Sequence, residues 1–164
     1  MSSSTAAAEG RTQEGQNAVG EVVKIWIKRA RRGPMDAVEQ ATLIAGEGID
    51  GDANRGRTWR QVTLIEDELW QQVAEELGPQ VNPVQRRANL LIRGITLQNT
   101  RHRILALGET ARLEIRGETR PCNLMEETLS GLQAALDPDW RGGAYARVLS
   151  GGVLRLGDAV RWEG

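Results

Sequence analysis

Tyr145-Ala146-Arg147-Val148-Leu149 and Val153-Leu154-Arg155-Leu156 flank Ser150-Gly151-Gly152, and this stretch decides the fold. Two β-prone runs separated by a short glycine turn predict paired strands, here a hairpin. The pattern extends in both directions. A last strand, Ala159 to Trp162, follows the turn at Gly157-Asp158. Upstream, Ala111, Leu113 and Ile115 alternate with Arg112, Glu114 and Arg116, while Val62 and Leu64 alternate with Gln61 and Thr63. In Gly20 to Ala30, Val23, Ile25 and Ile27 share one face, opposite Lys24, Trp26 and Lys28. Successive side chains of a strand point to opposite faces, so period-two alternation marks half-buried strands. Many short strands broken by glycine turns predict a mainly β (α+β) domain, built as a closed or nearly closed β-barrel.

Two helices interrupt the strands and are expected to cover the barrel. Ile65, Leu69, Val73 and Leu77 recur every four residues, with Glu66, Asp67 and Glu68 at the end that favours negative charge. Gly78-Pro79 stops that run, and a second helix is predicted over Ser130 to Leu136. Residues 1–19 are small and polar, with neither a basic start nor an apolar stretch, and read as a disordered tail. The barrel domain is expected over residues 20–164, a length that can bury a core without metals or disulfides.

The chain has 164 residues and a formal net charge of −1, which supplies no general drive toward nucleic acid or an anionic membrane. No apolar run is long enough to span a bilayer as a helix. One cysteine cannot form an intrachain disulfide, so a disulfide scaffold is excluded and a reducing, cytoplasmic setting is expected. Lysine occurs only at positions 24 and 28, so arginine carries nearly all the positive charge. Its planar fork suits phosphate and carboxylate recognition.

Several motifs can be set aside. Gly46-Glu47-Gly48-Ile49-Asp50-Gly51 matches G-x-G-x-x-G, but a polar loop and a strand follow it. A dinucleotide fingerprint needs a following helix to receive the pyrophosphate. His102 is the only histidine and lies in a polar connection, where it cannot build a histidine metal site alone. The common hydrolase signatures are absent.

Cys122, in Arg120-Pro121-Cys122-Asn123, is the residue with reactive chemistry. A thiol reacts as thiolate in accessible, electropositive surroundings, and Arg120 and Arg141 are the arginines expected nearby. Arg60 opens a strand, Arg86-Arg87 precede the apolar run Asn89 to Ile95, and Arg141 precedes Gly142-Gly143. Gathered at one barrel rim, Arg60, Arg87 and Arg141 would form an anion pocket beside a soft sulfur ligand.

The blocks Gly48-Ile49-Asp50-Gly51-Asp52, Arg60 to Ile65, Arg86 to Ile95, Pro121-Cys122, Arg141 to Leu149 and Gly151 to Asp158 occur in an order that resembles the MOSC domain, the molybdenum-cofactor sulfurase C-terminal domain. The resemblance covers about residues 20 to 163, in a short stand-alone form. One departure is Ala88, which separates the arginine pair from Asn89 where the family often runs Arg-Arg-Asn. The resemblance implies a MOSC-like β-barrel that binds the molybdenum cofactor (molybdopterin). Cys122 would be the catalytic residue and metal ligand, carrying sulfur as persulfide or holding molybdenum. Arg60, Arg87, Asn89, Arg141, Gly142 and Gly143 would bind the cofactor. Sulfur would come from a partner cysteine desulfurase, which alone would carry pyridoxal phosphate. Two alternatives remain open at this point: a molybdenum-dependent reductase of N-hydroxylated compounds served by an electron-donor protein, and a non-catalytic cofactor carrier.

Overall fold

The computed structural model describes residues 19–163. The tail expected over residues 1–19 therefore lies outside the described residues up to residue 18. Eleven strands form: β1 (Gly20–Lys28), β2 (Met35–Val38), β3 (Gln40–Ile44), β4 (Gly48–Ile49), β5 (Val62–Glu66), β6 (Leu90–Arg93), β7 (Ile104–Leu107), β8 (Ala111–Glu118), β9 (Ala144–Ser150), β10 (Gly152–Arg155) and β11 (Ala159–Glu163). Hydrogen bonding runs β11-β7-β8-β9-β5-β6-β1, and β11 also pairs with β1, which closes a seven-stranded barrel. β2 extends β1 beyond the barrel wall, and β3, β4 and β10 make a separate small sheet. Among the described residues no helix is long and apolar enough to cross a membrane.

The helices are α1 (Asp67–Leu77), α2 (Asn123–Thr128) and α3 (Leu132–Leu136). α1 connects β5 to β6, the one parallel pair in the barrel, because a parallel connection needs a crossover. Two cores result. Val22, Ile25, Leu64, Leu90, Leu113 and Val148 are among the side chains filling the barrel. On the outer side, Trp26, Ile65 and Leu91 pack against Trp70 and Val73 of α1, Met125 of α2 and Leu132 and Leu136 of α3. β5 lies between the two cores and is buried along its whole length, Thr63 and Glu66 included.

Four local expectations change. The stretch around Ser150-Gly151-Gly152 is a corner, not a hairpin. β9 pairs with β8 and β5, whereas β10 pairs with β3. A Cβ on Gly151 would collide with the Leu43 carbonyl, so only glycine lets the chain pass from one sheet to the other at this point. In β1 the register against β6 shifts between Val22 and Lys24, a bulge at Val23. Val22, Ile25 and Ile27 therefore fill the barrel, while Val23 and Trp26 face the helices. Ile65 belongs to β5, and the buried stripe of α1 is Trp70 and Val73 rather than Leu69. The second covering helix begins at Leu132, and a further helix, α2, starts directly after Cys122.

Candidate functional site

The loop between β4 and β5 is built on a buried polar hub. Asn89 is 2% exposed and uses its whole side chain. Its Oδ1 accepts from the Thr63 N–H at 3.0 Å, and its Nδ2 donates to the Trp26 carbonyl at 3.2 Å and to Asp52 Oδ1 at 2.9 Å. Asp52 in turn accepts from the Lys28 N–H and the Asn54 N–H, at 2.9 and 3.0 Å. Gln61, fully buried, donates to the carbonyls of Gly46 and Arg57 and accepts from the Val148 N–H. Buried polar groups must be satisfied, and this requirement fixes both ends of the segment that carries Arg57 and Arg60. Asn89, which the resemblance assigns to cofactor binding, uses its amide here to hold the frame beneath the pocket.

A pocket of about 250 Å³ opens over this frame. Lys28, Arg31, Arg32, Arg57, Arg60 and Arg87 line it. None of the six belongs to an ion pair among the described residues, although Arg29, Arg55, Arg93, Arg112, Arg116, Arg120 and Arg141 all do. In a chain of net charge −1, this is a local excess of positive charge. It registers in the titration of its members. The Lys28 ammonium is pushed below its usual 10.5 by burial and by Arg87, Arg57 and Arg60, against the pull of Asp52. Arg60 is likewise lowered by burial and by Arg57, and Cys122 and Tyr145 act in the opposite sense.

Arg86 and Arg87 have different tasks. Arg86 lies mostly buried and donates to three carbonyls, those of Gly142 at 2.8 Å, Thr119 at 3.1 Å and Arg120 at 3.3 Å. Burial and Arg60 bring its guanidinium down to about 10, with Cys122 favouring its charge. It remains a cation at neutral pH and clamps the loop that leads to Cys122. Arg87 ends the 3₁₀ turn Pro83–Arg86 in the left-handed region (φ 63°), and its Nη2 donates to the Gly33 carbonyl at 2.6 Å. That bond ties the turn to the β1–β2 connection bearing Arg31 and Arg32.

Cys122 is exposed and precedes α2, with its carbonyl accepting from the Met125 N–H. The arginines in electrostatic contact with it are Arg60 and Arg86. Arg120 leans toward Glu118, and Arg141 turns away. Arg141 pairs with Glu76 of α1 at 3.0 Å and donates to the Ala135 carbonyl, so it joins the covering helices rather than the pocket. Arg60 and Arg87 line one cavity, and Arg141 does not. Gly142 and Gly143 are packing positions. A Cβ on Gly142 would lie 2.6 Å from the Thr119 carbonyl, and Gly143, at φ 99°, presses on the Leu64 carbonyl. Lys28, Arg31, Arg32 and Arg57 complete the site without having been anticipated. Their signal was present in Arg29-Ala30-Arg31-Arg32-Gly33 and Arg55-Gly56-Arg57, two arginine-rich glycine turns.

A second cleft, of about 750 Å³, adjoins the first and shares Arg32, Arg87 and Leu124 with it. Met35, Val84, Glu127 and Thr128 lie along its walls. No group of three His, Cys, Asp or Glu side chains able to hold a bare metal ion occurs among the described residues.

Together these features describe a closed β-barrel that carries a cavity lined by six cations and, electrostatically coupled to Arg60 of that lining, an exposed free thiol. The chain belongs to the MOSC domain family, whose model matches residues 51–161. Solved structures share the fold. The YuaD protein from Bacillus subtilis superposes with a TM-score of 0.76 at 17% identity, over 87% of this chain and 94% of that one. YiiM from Geobacillus stearothermophilus gives 0.68 at 15% identity, over 88% and 75%. YiiM from Escherichia coli gives 0.65 at 18% identity, over 88% and 70%. A search of curated proteins finds no match.

Proposed function

We propose that this MOSC protein binds the molybdenum cofactor at the cationic pocket and uses Cys122 in sulfur transfer or cofactor handling. The observation that carries this reading is the pocket of six cations that form no ion pair among the described residues, one of which, Arg60, interacts electrostatically with the exposed Cys122 thiol. The residues fit the group. The cofactor's terminal phosphate suits arginine forks and a lysine ammonium. Thiolate sulfur is a soft donor suited to molybdenum and to sulfane sulfur. The cofactor, when bound, supplies a redox-active metal that exchanges sulfur and oxygen ligands.

The chain's own residues then divide the work. Arg57, Arg60, Arg87 and Lys28 hold the phosphate. Arg86 holds the loop Thr119–Pro121 and keeps a positive charge near Cys122. For sulfur loading, the Cys122 thiolate attacks the outer sulfur of a desulfurase persulfide, R–S–SH. The Cys122–sulfur bond forms, the donor's S–S bond breaks, and the donor leaves as R–S⁻, so no outside oxidant is needed.

Protein purified from a cofactor-making host tests the binding. Metal analysis and the fluorescence of the oxidised pterin should report cofactor with the wild type and its loss with Arg60→Ala/Arg87→Ala. Equal cofactor content in both proteins would contradict the assignment of the pocket.

A further inference from the structure

We propose that Trp59 and the arginines around it, on the outer wall of β8 and β9, form the surface on which the protein that delivers sulfur to Cys122 docks through an acidic face. This names a partner surface for the sulfur transfer proposed above and rests on that reading.

The wall carries no helix. The second core joins the helices to β1, β5 and β6 and takes in no residue of β8 or β9. Along the outer side of β9 lie Tyr145 and Arg147, half-buried, and then Leu149, exposed. Trp59 comes to this wall from the loop before β5. At 46% exposure it is the one tryptophan of five in open solvent, since Trp26, Trp70 and Trp162 are buried and Trp140 is half-buried.

Two guanidinium groups, one from each strand, hold the indole there. That of Arg116 lies 4.2 Å from its ring centroid and that of Arg147 lies 5.5 Å away. Arg116 is aimed by an irregularity in the sheet. Ile115 pairs with Ala146 and Gly117 with Tyr145, so Arg116 is the extra residue of a β-bulge, a device that redirects a side chain. Gly117 completes the fit, because a Cβ there would lie 2.9 Å from the Tyr145 ring. Cation–π contacts restrain the indole before anything binds, so less freedom is lost when a partner settles on it. Trp, Tyr and Arg are also the side chains that dominate the energy at the centres of protein interfaces.

Charge defines the chemistry of the partner. Arg147 belongs to no ion pair among the described residues, nor does Arg101, whose Nε donates to the Arg116 carbonyl. Arg116 is paired with Glu114 alone. Guanidinium groups with free N–H donors beside an exposed indole complement a face that presents carboxylates. A single-stranded nucleic acid is the poorer match, because the guanidinium groups already lie over the ring that a base would stack on.

Position identifies the partner's task. Trp59 sits between Arg57 and Arg60, both of which line the cationic cavity. Arg60 interacts electrostatically with Cys122 and with Tyr145 of the wall, so the platform flanks the exposed thiol. A persulfide must meet the attacking sulfur directly, and a protein donor therefore needs a docking face beside Cys122.

Sulfur loading of Cys122, followed by intact mass, tests this with two donors: a cysteine desulfurase supplied with cysteine, at varied concentration, and glutathione persulfide, which is too small to use a docking face. Trp59→Ala and Arg147→Glu should each raise the half-saturating desulfurase concentration about tenfold or more. Both should keep the saturated rate within about twofold and load from glutathione persulfide as the wild type does. Arg161→Glu, an equal charge change at an exposed position of β11, should alter none of these. Variants that match the wild type at every desulfurase concentration would overturn the docking surface while leaving the sulfur chemistry standing. So would an Arg161→Glu effect as large as that of Arg147→Glu, or a wild type that loads from glutathione persulfide and not from the desulfurase. Binding of oligothymidylate, or a dimer in sedimentation, that Trp59→Ala abolishes would assign the surface to nucleic acid or to a second copy and likewise overturn the proposal. No loading of the wild type from either donor would overturn the sulfur reading and this surface with it.

Discussion

Asn89 Nδ2 donates to Asp52 Oδ1 at 2.9 Å, and both side chains are buried. This single bond joins the entry to β6 to the loop that carries Arg57 and Arg60. The remaining capacity of Asp52 reaches the backbone of Lys28, so three cation-bearing segments are referenced to one carboxylate. The pocket's positive charge is thus held in place by a negative charge beneath it that makes no ion pair with any of its lining residues.

Asn89→Ala should destabilise the protein by about 3 kcal/mol, because it strands the Thr63 N–H, the Trp26 carbonyl and Asp52 in a dry interior. Urea unfolding measures this. A loss below about 1 kcal/mol would mean that water replaces the amide without cost.

Arg141→Lys should cost stability and spare anion binding. Arg141 spans Glu76, Gln72 and the Ala135 carbonyl, a set that only a forked side chain reaches. The expected loss is about 1–2 kcal/mol, with phosphate affinity unchanged. Weakened phosphate binding in a fully stable variant would return Arg141 to the pocket.

Alkaline pH should weaken anion binding. Burial and neighbouring arginines hold the Lys28 ammonium below 10.5, so it loses its proton earlier than a free lysine. A bound anion favours the charged form, so binding takes up a proton as pH rises through that lowered value and affinity falls. Phosphate titrations in two buffers of different ionisation enthalpy read both effects. Affinity that stays flat or increases with pH would exclude Lys28 from the anion contact.

Arg86→Met should loosen the loop before Cys122, since three carbonyls lose their shared donor. Amide exchange at Thr119, Arg120 and Cys122 should quicken while the barrel strands stay protected. Unchanged exchange in a folded variant would show that Arg86 does not hold this loop.

Much of the barrel was legible in period-two alternation: the strands at Ala111–Glu118, Ala144–Ser150 and Ala159–Glu163 lie where the pattern put them. Pairing was not, because periodicity marks a strand without naming its partner. Gly151 turns a corner for a reason, the Leu43 carbonyl, that lies far away in sequence. The bulge at Val23 inverted one face of β1 in the same hidden way. In the site, Cys122, Arg60 and Arg87 were visible as residue types in exposed turns. Arg141 misled because the nearest carboxylate, not the chain position, decides where a long side chain goes, and Glu76 comes from a different helix.

The central claim, that Cys122 accepts sulfur, is tested most directly by intact mass after incubation with a cysteine desulfurase and cysteine. The wild type should gain the mass of one sulfur atom, lose it on reduction with dithiothreitol, and Cys122→Ser should gain none. No gain in the wild type, or an equal gain in the serine variant, would contradict the account.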